Sequence, residues 1–308
     1  MMDIVSLPTD RYIAHLREAV ERRLADLLDA PPGAPPVMVE ALRYAVLGGG
    51  KRLRPILVIA SGDAARGRSD PKEGSMTHEA LLNAACALEM IHTFSLVHDD
   101  LPALDDDTLR RGRPTLHVRY DEATAVLAGD ALLNLAYEVM AREEGGDHGT
   151  RMRAIASMSR AVGLQGMIAG QVLDMRWTGS SIDGEALHRM HSLKTGALFT
   201  ACCEIGGILA KAPPEILEAL IGYGRQLGLA FQIVDDILDV EGSPSDLGKS
   251  AGKDERAGKA TFPALWGLEG SRLRARECVD RACAGLGLLG DDARHLTVIA
   301  RGVLTRKA

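Results

Sequence analysis

Residues 78–107 read HEALLNAACALEMIHTFSLVHDDLPALDDD. From His78 to Val97 the stretch is dominated by Ala, Leu, Met, Ile and Val and contains neither Gly nor Pro, which predicts a long buried helix. That helix runs directly into His98, Asp99 and Asp100. After Leu101, Pro102, Ala103 and Leu104 come Asp105, Asp106 and Asp107. Carboxylates in such surroundings are costly to bury unless they are paired or bind a metal, so the cluster reads as a site and not as a solvated helix face.

The same periodicity extends outward. Tyr12, Leu16, Val20, Leu24 and Leu27 recur at steps of four and three, an amphipathic helix over residues 12–28. Helical patterns follow over about 37–47, where Gly48, Gly49 and Gly50 stop the helix, then 121–144, 150–173, 184–210, 215–240 and from about 271. Residues 31–36 (PPGAPP) and 62–76 are loops, and strand-type alternation is almost absent. Aromatic residues are only 4%, so the core is built from Leu, Ala, Val, Ile and Met, which suit closely packed helices. The expected architecture is all-α, a single-domain helical bundle over residues 1–308 with roughly ten or more helices. Glycines cluster at 163–170, 196–207 and 222–228, consistent with close helix approach and with room for a ligand.

The net charge of -6 disfavours a nucleic-acid partner. Cys86, Cys202, Cys203, Cys278 and Cys283 form no CxxC pair, which fits a reducing compartment. The first residues lack a basic stretch followed by an apolar one, and no uninterrupted apolar run approaches the length of a membrane span. The expectation is a cytoplasmic protein with no membrane partner.

A second acidic cluster, Asp235, Asp236 and Asp239, lies in LAFQIVDDILDV. Asp235 and Asp239 are four apart and share one helix face, where they can hold a hard cation such as Mg²⁺. In the first cluster a straight helix would align Asp99 with Asp106, but Pro102 must distort or end that helix. Which of Asp105, Asp106 and Asp107 faces a metal is therefore open. Two metal-binding carboxylate clusters suggest a polyanion between them, whose leaving group the ions would draw away. Basic residues accompany both: Gly50, Lys51 and Arg54 in GGKRLRP, Arg110 and Arg111 in DDDTLRRGRPT, Lys194 in HSLKTGALF, and Lys249 and Lys259 in DLGKSAGKDERAGKAT. Arg clasps phosphate in a bidentate fork and Lys acts as a point charge. The GxGxxG at Gly285, Gly287 and Gly290 has no preceding strand, so it is not a nucleotide site.

With these motifs in order (GGKRLRP, IHTFSLVHDDLPALDDDTLRRGRPT, GQVLD, KTGALF, FQIVDDILD, LGKSAGKD, GKATFPAL), nearly the whole chain resembles the trans-polyprenyl diphosphate synthase family, most closely its bacterial farnesyl diphosphate synthases. The resemblance implies helices around a central cavity, a homodimer, and Mg²⁺ at roughly three ions per site, with Mn²⁺ as an alternative. It assigns Asp99, Asp100, Asp105 and Asp235 to metals carrying an allylic diphosphate, with Asp236 and Asp239 supporting. Arg110, Lys194 and Lys249 would hold that diphosphate, and Lys259 is a further basic position near the closing C-terminal region. Gly50, Lys51, Arg54, His92 and Arg111 would bind isopentenyl diphosphate. Thr195 and Gln232 would face the allylic cation, supported by Gln171 and Asp174. Phe94 and Ser95, just ahead of Asp99, would form the cavity floor and limit the product to C15, (2E,6E)-farnesyl diphosphate. The alternatives are a C20 geranylgeranyl diphosphate synthase or a non-catalytic partner subunit. A hydrolase needs no second basic site, and a cyclase typically lacks a second DDxxD.

Overall fold

A computed structural model of the chain describes residues 4–66, 78–142, 147–241 and 259–306. A 3-10 turn (Ile4–Ser6) leads into α1 (Thr9–Leu27), α2 (Pro36–Val46), α3 (Leu53–Arg66) and α4 (His78–Asp99). A two-stranded hairpin, β1 (Leu109–Arg110) and β2 (Arg113–Pro114), follows. Then come α5 (Leu116–Arg119), α6 (Glu122–Ala141), α7 (His148–Val162), α8 (Met167–Trp177), α9 (Gly184–His191), a π-helical turn (Ser192–Gly196) and α10 (Ala197–Leu209). The chain continues through α11 (Pro214–Glu241), α12 (Phe262–Gly285), a second 3-10 segment (Gly287–Ala293) and α13 (Arg294–Leu304).

The fold is all-α. In α1 the buried residues are Tyr12, Leu16, Val20, Leu24 and Leu27, the stripe read from the periodicity. α10 lies at the centre, packed on α3, α7 and α11, while α4 packs on α6 and α11 on α12. Most glycines in the three clusters serve close approach. A Cβ on Gly206 would strike the Val58 carbonyl, one on Gly224 would meet Thr200 Cα at 2.8 Å, and one on Gly228 would meet Gly196 Cα at 2.8 Å.

Several boundaries differ from expectation. The 150–173 pattern breaks between α7 and α8, where Gly163 leaves helical geometry (φ -79°, ψ -146°). The 184–210 pattern is interrupted by the π-turn. The helical pattern expected from about 271 follows a kink at Gly267 (φ 68°, ψ 169°), and ahead of it a short helical segment begins at Phe262, where Thr261 accepts from the Ala264 amide at 3.3 Å and Pro263 stands in the first turn. The short hairpin was not anticipated: two residues per strand carry no readable alternation. α4 and α6 are also long and apolar enough to span a bilayer. They do so by length and average composition only, since neither holds an uninterrupted apolar run of that length, and α4 is mostly buried in the core.

Candidate active site

The helix α4 ends at Asp99, and the chain after Pro102 folds back on it. The Asp105 amide donates to the Asp99 carbonyl at 2.8 Å, Asp106 to Leu101 at 3.2 Å and Asp107 to Asp100 at 3.1 Å. Asp106 takes a left-handed φ of 49° and its side chain is exposed. The straight-helix alignment of Asp99 with Asp106 therefore does not apply, and it is Asp105 that returns beside Asp99. Burial pushes the Asp99 carboxyl up to about 6; Asp105 and Asp100 add to the shift, and Lys194 and Arg110 oppose it.

Asp100 is 3% exposed and faces Arg110, whose Nε donates to its two oxygens at 2.8 and 2.9 Å and whose Nη2 donates at 2.6 Å. Arg110 also lies 3.7 Å from Asp107. The fork assigned to a substrate diphosphate is thus turned toward a carboxylate of its own chain.

The π-turn widens the helix by one residue per turn, and consecutive residues reach different partners. Lys194 Nζ donates to Asp174 on α8 at 2.5 Å. Lys259 Nζ lies 3.0 Å from Asp105 and 3.5 Å from Asp174. Asp174 thus links the first acidic cluster to the π-turn. Its burial would raise its pKa, but Lys194 and Lys259 outweigh that and hold it below the usual carboxylate range. Thr195 Oγ1 donates to Gln232 Oε1 at 2.6 Å, and Gln232 Nε2 donates to Asp236 at 2.9 Å. Gly170 on α8 makes this possible, since a Cβ there would collide with the Lys194 backbone nitrogen.

The aspartates of α11 occupy different environments. Asp235 has a half-exposed side chain and pairs with Arg306, just past the end of α13. Asp236 is 2% exposed and accepts from Gln232 and from the Phe262 amide at 2.9 Å, while Asp239 is buried one turn further on. Asp235 and Asp239 share the expected helix face, but of the two only Asp235 is open to solvent.

A cleft of about 970 Å³ is lined by Lys51, Arg54, His92, Arg111, Phe231 and Arg306. Arg111 sits in the hairpin turn, where it and Gly112 have φ of 53° and 73°, the positive pair that primed two-residue turns require. Its guanidinium donates to the Gly49 carbonyl and covers Gly50, where a Cβ would meet it at 2.8 Å. Arg54 lies over the Phe199 ring at 4.8 Å and Arg306 over Phe231 at 3.8 Å, with the two rings 4.9 Å apart. Arg54 Nε is buried with no hydrogen-bond partner among the described residues. An orphaned guanidinium nitrogen in a cationic cleft fits an anionic ligand. Burial first, then Arg54 and Arg111, hold His92 well below its ordinary pKa, so its imidazole is neutral.

Among the described residues, no three His, Cys, Asp or Glu groups converge into a ready-made metal cage. Magnesium does not require one: it takes one or two carboxylates and completes its shell with water and substrate phosphates. The all-oxygen donors Asp99, Asp105 and Asp235 fit that chemistry. Lys249 lies outside the described residues. Phe94 is 6% exposed and packs edge-on against His98 at 5.6 Å, while Ser95 donates to the His92 carbonyl at 2.9 Å. Sequence reading missed Arg306, whose only signal is a basic pair near the end of the chain, and Arg52, described below.

The sequence pattern of the family described as Polyprenyl synthetase matches residues 35–284. The chain is 42% identical over 275 residues to the farnesyl diphosphate synthase of Escherichia coli (strain K12), covering 87% of this chain and 89% of that one. It is 40% identical over 297 residues to the geranylgeranyl diphosphate synthase of Cyanophora paradoxa, covering 96% and 95%. The crystal structure of a geranyltransferase from Helicobacter pylori, complexed with magnesium and isoprenyl diphosphate, superposes with a TM-score of 0.83 at 31% identity, covering 97% of each chain. On these grounds, and with two acidic clusters and a cationic cleft in one helical bundle, the chain belongs to the polyprenyl synthetase family of trans-prenyl diphosphate synthases.

Proposed function

We propose that this prenyltransferase condenses isopentenyl diphosphate with dimethylallyl and then geranyl diphosphate, giving (2E,6E)-farnesyl diphosphate and diphosphate. The observation that carries the two-substrate reading is the presence of two differently built sets of anion-binding groups. One is the cationic cleft of Lys51, Arg54, His92 and Arg111; the other is the carboxylate pair Asp99 and Asp105 with Lys194 and Lys259 beside them, to which Asp235, paired with Arg306, adds a further carboxylate.

In this reading the first set holds isopentenyl diphosphate, with Arg54 supplying its unpartnered Nε and neutral His92 a hydrogen-bonding ring nitrogen. Asp99, Asp105 and Asp235 would hold magnesium, the ion named for the Helicobacter pylori structure. When bound with an allylic diphosphate, that metal neutralises the leaving group. Lys194, fixed by Asp174, keeps a positive charge beside it. Asp236 orients Gln232 and Gln232 orients Thr195, so both oxygens are held in place before an allylic cation forms. The isopentenyl alkene then bonds to the cation, and the proton lost from the adduct leaves to the departing diphosphate.

The C15 product rests on Phe94, a buried aromatic five residues before Asp99. C20 is the second reading, favoured by the comparable identity to a geranylgeranyl diphosphate synthase. A homodimer is part of the proposal. It is supported by apolar side chains left exposed on α6 (Val126, Leu127) and α8 (Ile168, Val172, Met175), which a second copy would cover. Cytoplasmic location is proposed with it, since five free cysteines fit a reducing compartment.

Incubation with isopentenyl diphosphate, Mg²⁺ and either allylic diphosphate, followed by dephosphorylation and chromatography of the alcohols, tests the chemistry. Farnesol is expected. Geranylgeraniol would move the assignment to C20, and no elongation would refute the catalytic reading.

A further inference from the structure

Arg52 stands between two residues of the isopentenyl cleft, yet its side chain is fully buried and turned into the protein. Its Nε donates to Glu21 at 2.7 Å, Nη1 to Glu89 at 2.6 Å, and Nη2 to Glu21 at 3.1 Å and to the Val46 carbonyl at 2.7 Å. These acceptors belong to α1, α4 and the last residue of α2. Every nitrogen of the guanidinium is therefore engaged, through four of its five N–H groups, although Arg52 itself borders the cleft. The backbone of Arg52 is left-handed (φ 50°), a strained conformation for a residue with a Cβ that persists only where its surroundings enforce it. Its carbonyl accepts from the Ile56 amide at 3.1 Å, so Arg52 also fixes the start of α3, the helix whose first turn carries Arg54. Glu89 is 2% exposed, lines the same cleft, and precedes His92 by one turn of α4.

A buried ion cluster of this kind adds little stability, since apolar side chains filling the same space would avoid the desolvation cost. What it supplies is registry: three acceptors on three helices accept one planar fork in one position. We infer that Arg52, clamped by Glu89 and Glu21, is a positioning residue for the isopentenyl cleft, setting where Lys51 and Arg54 stand without touching the diphosphate. The inference rests on the assignment of that cleft to isopentenyl diphosphate.

The test is steady-state kinetics on purified full-length Arg52→Met, Glu89→Gln, Glu21→Gln and Arg54→Ala, with KM measured separately for isopentenyl and geranyl diphosphate. Positioning predicts that Arg52→Met and Glu89→Gln each raise KM for isopentenyl diphosphate about tenfold or more, the scale of a lost charge-assisted contact. KM for geranyl diphosphate should stay within about twofold, as for sites with no shared partner. Glu89→Gln is decisive. Removing its negative charge makes the cleft more positive, so a role through the electric field alone would lower that KM, and a fall overturns the inference. Glu21→Gln, at the partly exposed edge of the cluster, keeps the Glu89 pair and gives a smaller rise in the same direction, including if the more buried variants fail to fold. Equal rises for both substrates would reduce the cluster to general scaffolding and overturn the inference. Arg54→Ala separates the two levels. If it raises the isopentenyl KM while Glu89→Gln and Glu21→Gln do not, the positioning inference alone fails. If it raises the geranyl KM instead, the cleft assignment fails and the inference falls with it.

Discussion

Asp174→Asn removes a carboxylate that holds both Lys194, at 2.5 Å, and Lys259, at 3.5 Å. The shape is preserved and the charge is lost: Lys259 keeps Asp105 at 3.0 Å, and Lys194 loses the carboxylate at 2.5 Å in a partly buried space. A hydrogen bond to a charged group contributes about 1.5–3 kcal/mol, and stripping one partner from a fully buried pair costs about 3–5 kcal/mol. Lys194 and Lys259 retain 24% and 20% side-chain exposure, so water recovers part of that, and the expected destabilisation is about 2–3 kcal/mol. At about 2–4 °C per kcal/mol for a large domain, Tm should fall by roughly 5–10 °C. The pH dependence has a definite sign. The lysines depress the folded pKa of Asp174 below its unfolded value of about 3.9, so its contribution is complete above that pH and lost as pH falls through the folded pKa. The variant should therefore differ most from the parent near neutrality and converge with it in acid. Catalysis should suffer too: with its anchor gone, Lys194 loses its position beside the leaving group, and kcat should fall about tenfold or more. Asp174 is not among the residues lining the cleft proposed for isopentenyl diphosphate, so the KM for that substrate should hold. Thermal melts from pH 3 to 8 and steady-state kinetics measure both effects. An unchanged Tm and kcat at pH 7 would refute the argument that Asp174 organises the two lysines.

Two further outcomes follow from the packing. Phe94→Ala removes a buried ring ahead of Asp99 and should shift the product mixture toward C20, read by chromatography of the dephosphorylated alcohols; an unchanged C15 product would place the floor elsewhere. Gly170→Ala drives a Cβ into the Lys194 backbone, which cannot swing aside, and should cost about 1–3 kcal/mol in denaturant unfolding together with a loss of kcat; wild-type behaviour would show that the π-turn does not depend on this contact.

The sequence by itself determined the class of fold and the chemistry. The period of Tyr12, Leu16, Val20, Leu24 and Leu27, and the long run from His78, are local signals, because a helix repeats every 3.6 residues and buries one face. The two aspartate clusters were conspicuous for the same reason: charge in an apolar run is costly and needs a cause. Tertiary structure decided what depends on contacts distant in sequence. Asp105 and not Asp106 returns to Asp99 because a turn closes by backbone hydrogen bonds after Pro102. Asp235 is half-exposed on Arg306 while its neighbour Asp236 is buried on the Phe262 amide, 26 residues away, so adjacent identical residues differ through partners no local pattern encodes. Arg52 and Arg54 look alike in GGKRLRP. Both border the cleft, but only the packing of α1, α2 and α4 around a left-handed residue ties the Arg52 guanidinium to Glu21, Glu89 and the Val46 carbonyl, while Arg54 Nε keeps no hydrogen-bond partner among the described residues. Periodicity follows from the local geometry of the chain, whereas the direction of a single charged side chain is set by whichever distant partner best offsets its desolvation.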